Sequence, residues 1–202
     1  MRDLIGGTLV AGLIVFLVGA VAWRLTYEQP LAAALRVIHT DRRRRTWIHV
    51  WMIIALFVTP AGVAGLAAVA DSAMATGLMA AQVYGIGAVC LIVSLAFRLA
   101  VVPWAAERTV ADGSPPDGFA ALDSWASVLY IVHMAASYAA FATIGVTILV
   151  SAIAPRWLGW LGIAWGLCFV AGFVATRFAG PFNPPFWAHT YTGAVGIALL
   201  TT

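Results

Sequence analysis

The chain has 202 residues, 63% of them hydrophobic and 9% charged, with a net charge of +3. A soluble domain would carry about 25% charged residues, so none is expected, and at roughly 20 residues per crossing the chain has room for about six membrane-spanning helices. Every one of the 11 Lys or Arg positions is arginine. That excludes lysine Schiff-base chemistry, a retinal pigment included. The arginines line up with segment ends rather than forming one basic face, which argues against nucleic acid as a partner.

The first apolar segment covers 4–23. Ala20-Val21-Ala22 imitates a signal-cleavage site, but Asp3 cancels Arg2 and the positive leader end is missing, so the segment reads as a spanning helix. Loop 24–46 follows, with arginines at 24, 36, 42, 43, 44 and 45; within it, 31–39 has the composition of a short interfacial helix. The second span covers 47–70 and contains Thr59-Pro60, where proline removes a backbone hydrogen bond and should kink the helix. The third covers 77–102. Loop 103–123 is the most polar stretch and reads as a turn-rich connector without a packed core. The fourth span, 124–152, opens on an Asp123/Ser124 cap. Pro155-Arg156-Trp157 marks a hairpin into the fifth span, 157–178. Pro181, Pro184 and Pro185 forbid helix through 180–186, and the sixth segment, 187–202, is the shortest. The expected fold is thus an all-α, polytopic bundle of six transmembrane helices in a single transmembrane domain.

Sidedness follows from arginine counting. Nine (24, 36, 42, 43, 44, 45, 98, 108, 177) fall on one side, and only Arg2 and Arg156 on the other. The arginine-rich side is expected to be cytoplasmic, with both termini outside, in the inner (plasma) membrane of a bacterium. A weak repeat runs through this layout. Gly19-Ala-Val-Ala-Trp-Arg24 resembles Gly172-Phe-Val-Ala-Thr-Arg177, and Trp47-Ile-His49 resembles Trp187-Ala-His189. Read literally, these are three parallel helical hairpins about an axis along the membrane normal.

The candidate site residues are His133, His49 and His189, with Arg24, Arg98 and Arg177. The two histidines beside tryptophan are expected a few ångströms below the cytoplasmic surface, and His133, eight residues past Trp125, about 12 Å deep. Neutral imidazole is the natural axial ligand of a b-type haem. The arginines suit haem propionates or another anionic headgroup. Tyr130 and Ser137 share a helix face with His133 and make the fourth span the most polar. All eight acidic residues fall in loops or at helix edges, which counts against an ion-coupled transporter. Cys90 and Cys168 lie in apolar runs and read as small hydrophobes. Gly162/Gly166, Ala135/Ala139 and Ala136/Ala140 read as packing faces. No catalytic motif is present. The run Pro155-Arg-Trp-Leu-Gly-Trp-Leu-Gly162 resembles a hairpin of uncharacterised bacterial membrane proteins and implies no activity.

Three functions are compatible with this pattern. One is an accessory or structural subunit of a membrane complex, with other membrane subunits as partners, which the composition favours. The second is a b-type haem electron-transfer protein with its site near the cytoplasmic face. The third is a binder or carrier of an anionic amphiphile.

Overall fold

The computed structural model describes residues 1–22, 30–178 and 180–202. These residues are helical almost throughout, with no strand among them. Seven α-helices follow one another: α1 (Arg2–Ala20), α2 (Leu31–Thr40), α3 (Arg42–Val69), α4 (Met74–Asp112), α5 (Phe119–Ser151), α6 (Arg156–Ala175) and α7 (Trp187–Thr201). Five of them, α1, α3, α4, α5 and α6, are long and apolar enough to cross a membrane.

The long helices alternate in direction and pack edge to edge in the order α1, α3, α4, α5, α6. At one end the Arg2 guanidinium reaches the Ile153 carbonyl and, at 2.5 Å, the Thr202 hydroxyl. The chain termini and the α5–α6 turn therefore meet there. At the other end Arg42 pairs with Glu107 at 2.5 Å, Arg36 donates to the Gly113 carbonyl at 3.1 Å, and Arg98 pairs with Asp123 at 2.9 Å. The arginines at 36, 42 and 98 thus share one end, as the alternation of segments requires.

Two features depart from the sequence reading, and both lie at that arginine-rich end. The polar stretch 103–123 is not a connector without a core. Helix α4 continues through Pro103 to Asp112 and stops at Gly113, whose φ of 80° is the left-handed conformation that glycine adopts without steric cost. Helix α5 then starts at Phe119, ahead of the expected Asp123/Ser124 cap. The added turns bury Ala105, Ala106 and Phe119 against Leu35 and Ile38 of α2, a small apolar cluster of their own. Glu107, Arg108 and Asp112 lie on the outer face of α4, and only 113–118 form a turn between the two helices.

The second departure concerns the end of the chain. Helix α6 closes on a six-residue cap in which Phe178 N–H donates to the Phe173 carbonyl at 2.7 Å and Arg177 N–H to the Val174 carbonyl at 3.0 Å. Arg177 and Phe178 both have positive φ, 53° and 64°, so the chain reverses sharply. It then descends beside α6. The Phe182 ring lies 5.1 Å from Phe169, and the Trp187 ring lies 5.5 Å from Trp165, halfway along α6. Helix α7 begins at that depth. Its 15 residues rise about 22 Å at 1.5 Å each, less than a full crossing. It is buried on nearly every side and lies along α1, where Gly6 and Gly196 bring the two backbones together; a Cβ on either would stand 2.8 Å from the other's carbonyl oxygen. The expected third hairpin is therefore not built like the first two. Helices α1 and α3 pair, and α4 and α5 pair, but α7 runs closest to α1 and meets α6 through the side chains of Trp187 and Tyr191.

Small residues set the other close contacts as expected. Gly145 and Gly159 face each other across α5 and α6, and Gly166 seats on the Tyr138 carbonyl. Ala136 meets Gly87 of α4, whereas Ala139 is exposed and packs no helix.

Candidate functional site

The descending segment is tied to α5 through two phenols. Tyr130 donates to the Asn183 carbonyl and Tyr138 to the Phe182 carbonyl. Irregular backbone inside an apolar bundle is tolerated only where its polar groups find such partners. Removing both hydroxyls, in a Tyr130→Phe/Tyr138→Phe protein, is expected to cost about 1 kcal/mol per bond. It should also raise amide hydrogen exchange across 182–187 selectively, with the α1–α3 pair unchanged; uniform exchange would contradict this anchoring.

The same segment delivers His189 to the bundle interior. Its ring stacks on Phe16 with centroids 4.6 Å apart, and its Nδ1 shares a hydrogen bond with the Thr59 hydroxyl at 3.2 Å. Thr59 precedes the helix proline, Pro60. Tyr84 of α4, also within reach of Thr59, donates to the Ala188 carbonyl at 2.9 Å. Helices α3, α4 and α7 thus meet in a chain of neutral polar groups: His189, Thr59, Tyr84 and the Ala188 carbonyl. A Thr59→Val protein, with the same shape and no hydroxyl, is expected to lose about 1–2 kcal/mol, read as a lowered unfolding midpoint in detergent. A midpoint equal to the parent's would place the His189 imidazole elsewhere.

His133 stands beside this chain. Its ring lies edge-on to Tyr84 at 6.5 Å, and Tyr84 in turn bonds the carbonyl of Ala188, the residue before His189. It is fully buried, yet neither ring nitrogen makes a hydrogen bond of good geometry, although the Gly87 carbonyl is near. One turn on, Ser137 is fully buried too, and its hydroxyl has no partner. That is unusual here, because Ser127, Thr143, Thr147 and Ser151 of the same helix each donate to the carbonyl four residues back.

His49 does not join this centre. It lies ten residues before Thr59 on α3, about 15 Å along the helix axis, and its charged neighbours are Arg45 and Arg98. The expectation that His49 and His189 share one shallow level is therefore corrected. His189 is carried down to the depth of His133 by the descending segment, and the tryptophan before it packs on α6 instead of marking an interface. The arginines do not converge either. Arg98 is held by Asp123 and by the Ser127 hydroxyl at 3.2 Å, and Arg177 is exposed in the reversal after α6. Arg24 lies outside the described residues. Among the described residues no group of three or more His, Cys, Asp or Glu side chains is placed to hold a metal ion.

Sequence reasoning missed Phe16, Thr59 and Tyr84 as members of the centre. A signal existed for Thr59 alone, as the hydroxyl beside a helix proline. Comparison with known protein families, curated proteins and solved structures gave no match.

Proposed function

We propose that this chain is a membrane-embedded binding protein that holds a small amphiphile, neutral at its polar end, at the His133–Ser137 face of the bundle interior. The observation that carries the reading is His133: fully buried, with no hydrogen bond of good geometry at either ring nitrogen, beside a polar chain that is otherwise satisfied. An unpaired buried polar group costs about 1–3 kcal/mol, a cost that a purely structural bundle avoids by placing leucine there. Imidazole and hydroxyl each offer a donor and an acceptor, so the complementary ligand carries both. Among the described residues no charged side chain stands in this centre to offset the desolvation of an ionic ligand. A helix that starts halfway through a bundle after irregular backbone is also how many membrane carriers build their sites.

In this reading the chain crosses the membrane six times, the descending segment and α7 together making the last passage. The arginine-rich end faces the cytoplasm of a bacterial inner membrane and both termini face out, as positive-inside bias favours. Tryptophan positions support the placement. Trp125 is exposed near one end of α5 and Trp160 is exposed near the other end, where Gly159 faces Gly145. The interval of 20 residues between positions 125 and 145 spans about 30 Å, the thickness of the hydrocarbon core.

A b-type haem is the second reading, favoured by the same buried imidazole next to His189. The donor chemistry fits: His133 and His189 would hold the iron, while His49 stands too far along α3. Haem would supply one-electron redox chemistry. Helices α4 and α5 approach closely at Gly87, where a Cβ would meet Ala136 at 2.8 Å, so that side of His133 is closed.

Native mass spectrometry and an absorption spectrum of protein extracted from its own membranes test both. The binding reading predicts a colourless protein with an added small mass that the His133→Ala protein lacks. A Soret band abolished by the same change would establish the haem reading instead. A bare, colourless parent would overturn both and leave the structural-subunit reading.

A further inference from the structure

We infer that the corner between α2 and α3 is a binding site for an anionic phospholipid, with the headgroup held by Arg43 and its neighbours and an acyl chain lying along one exposed stripe of α3. A recess of about 440 Å³ opens at this corner, lined by His39, Thr40, Asp41, Arg42, Arg43 and Arg44. Two of its cations are already matched: Arg42 pairs with Glu107 and Arg44 with Asp41. Arg43 is exposed and pairs with no group among the described residues. Three guanidinium groups face two carboxylates, so the recess keeps a net positive charge that a phosphate diester neutralises.

The apolar half of the site follows from helical spacing. Trp47, Val50, Ile54 and Phe57 are 48%, 41%, 38% and 66% exposed. They stand four, seven, eleven and fourteen residues after Arg43, so all five share one face of α3. Trp47 lies tilted against Trp51 with ring centroids 5.3 Å apart, and its indole N–H donates to the Val18 carbonyl at 3.3 Å, which fixes the ring at the top of the stripe. Arg43 stands about 6 Å beyond Trp47 along the axis, on the water side of a tryptophan at the membrane–water interface. Leu35 and Ile38 hold α2 against α4. One phospholipid thus meets a cation, an indole and an aliphatic track in the order of its own phosphate, glycerol and tail.

The test uses the full chain in nanodiscs, with lipid retention read by native mass spectrometry. Phosphatidylglycerol should be retained over phosphatidylcholine, and Arg43→Gln should lower that retention about five-fold, the worth of one arginine near an anionic surface. Arg108→Gln changes another exposed arginine of the same end, outside the recess, and should leave retention unchanged. Phe57→Ala should weaken retention without restoring phosphatidylcholine. Equal retention of the two lipids, or equal effects of Arg43→Gln and Arg108→Gln, would overturn the site. Displacement of the lipid by inorganic phosphate alone would assign the recess to a soluble anion and overturn the lipid assignment.

Discussion

Stripped of any ligand, a His133→Leu protein is expected to be more stable than its parent, by about 1–3 kcal/mol. Substitution at a fully buried helix position ordinarily destabilises, so the expected sign is the informative part. Leucine fills a similar volume and leaves nothing polar unpaired. The imidazole it replaces has two nitrogens without good partners in a medium that supplies no water. With ligand present the parent gains on the variant, because only the parent binds: at about a hundredfold over Kd binding adds about 2.7 kcal/mol to the parent alone, enough to offset most or all of the leucine advantage. Unfolding curves in detergent before and after removal of the co-purified ligand give both signs. A leucine variant less stable than the parent even after extraction would mean that His133 is satisfied within the bundle.

Gly166→Leu is expected to have the largest effect on folding, about 3 kcal/mol or more, at or above the upper end of ordinary overpacking. A Cβ at 166 would stand 2.5 Å from the Tyr138 carbonyl oxygen and 2.7 Å from the Ala142 nitrogen. Both are backbone atoms, so α5 and α6 must part for any side chain to enter. Parting them also displaces Tyr138, whose hydroxyl holds the descending segment at Phe182, so ligand binding should fail with packing. Gly85 of α4 is the control. A Cβ there meets nothing within 4 Å, and Gly85→Ala is expected to be neutral or to stabilise by about 0.5–1 kcal/mol through reduced backbone entropy. Equal midpoints for the two variants would contradict the close α5–α6 contact.

The long helices were legible because length and hydropathy decide them. Segments 47–70 and 157–178 correspond to α3 and α6 within a few residues at most ends. Histidine depth was not legible. Counting from the nearest tryptophan presumes that every tryptophan marks an interface, and Trp187 instead packs, half-buried, against Trp165 midway along α6. The three prolines of 180–186 announced a break in the helix but carried no information on whether the break lies outside the bundle or inside it. That is settled by partners far away in sequence, Tyr130 and Tyr138. Likewise Glu107, Arg108 and Asp112 made the end of α4 look like a loop, although Ala105, Ala106 and Thr109 between them form a buried face. A period read over so few turns is easily masked by charge.

Everything said of the interior site depends on the 180–186 segment lying at mid-depth. The direct measurement is bilayer depth by spin-label accessibility. A nitroxide placed at Asn183→Cys, in a protein with Cys90 and Cys168 replaced by serine, should be reached by oxygen and shielded from a water-soluble nickel complex, like a label at the lipid-facing Val132. A label at 183 as open to the nickel complex as one at Trp47 would put the segment at the surface, and the site would fall with it.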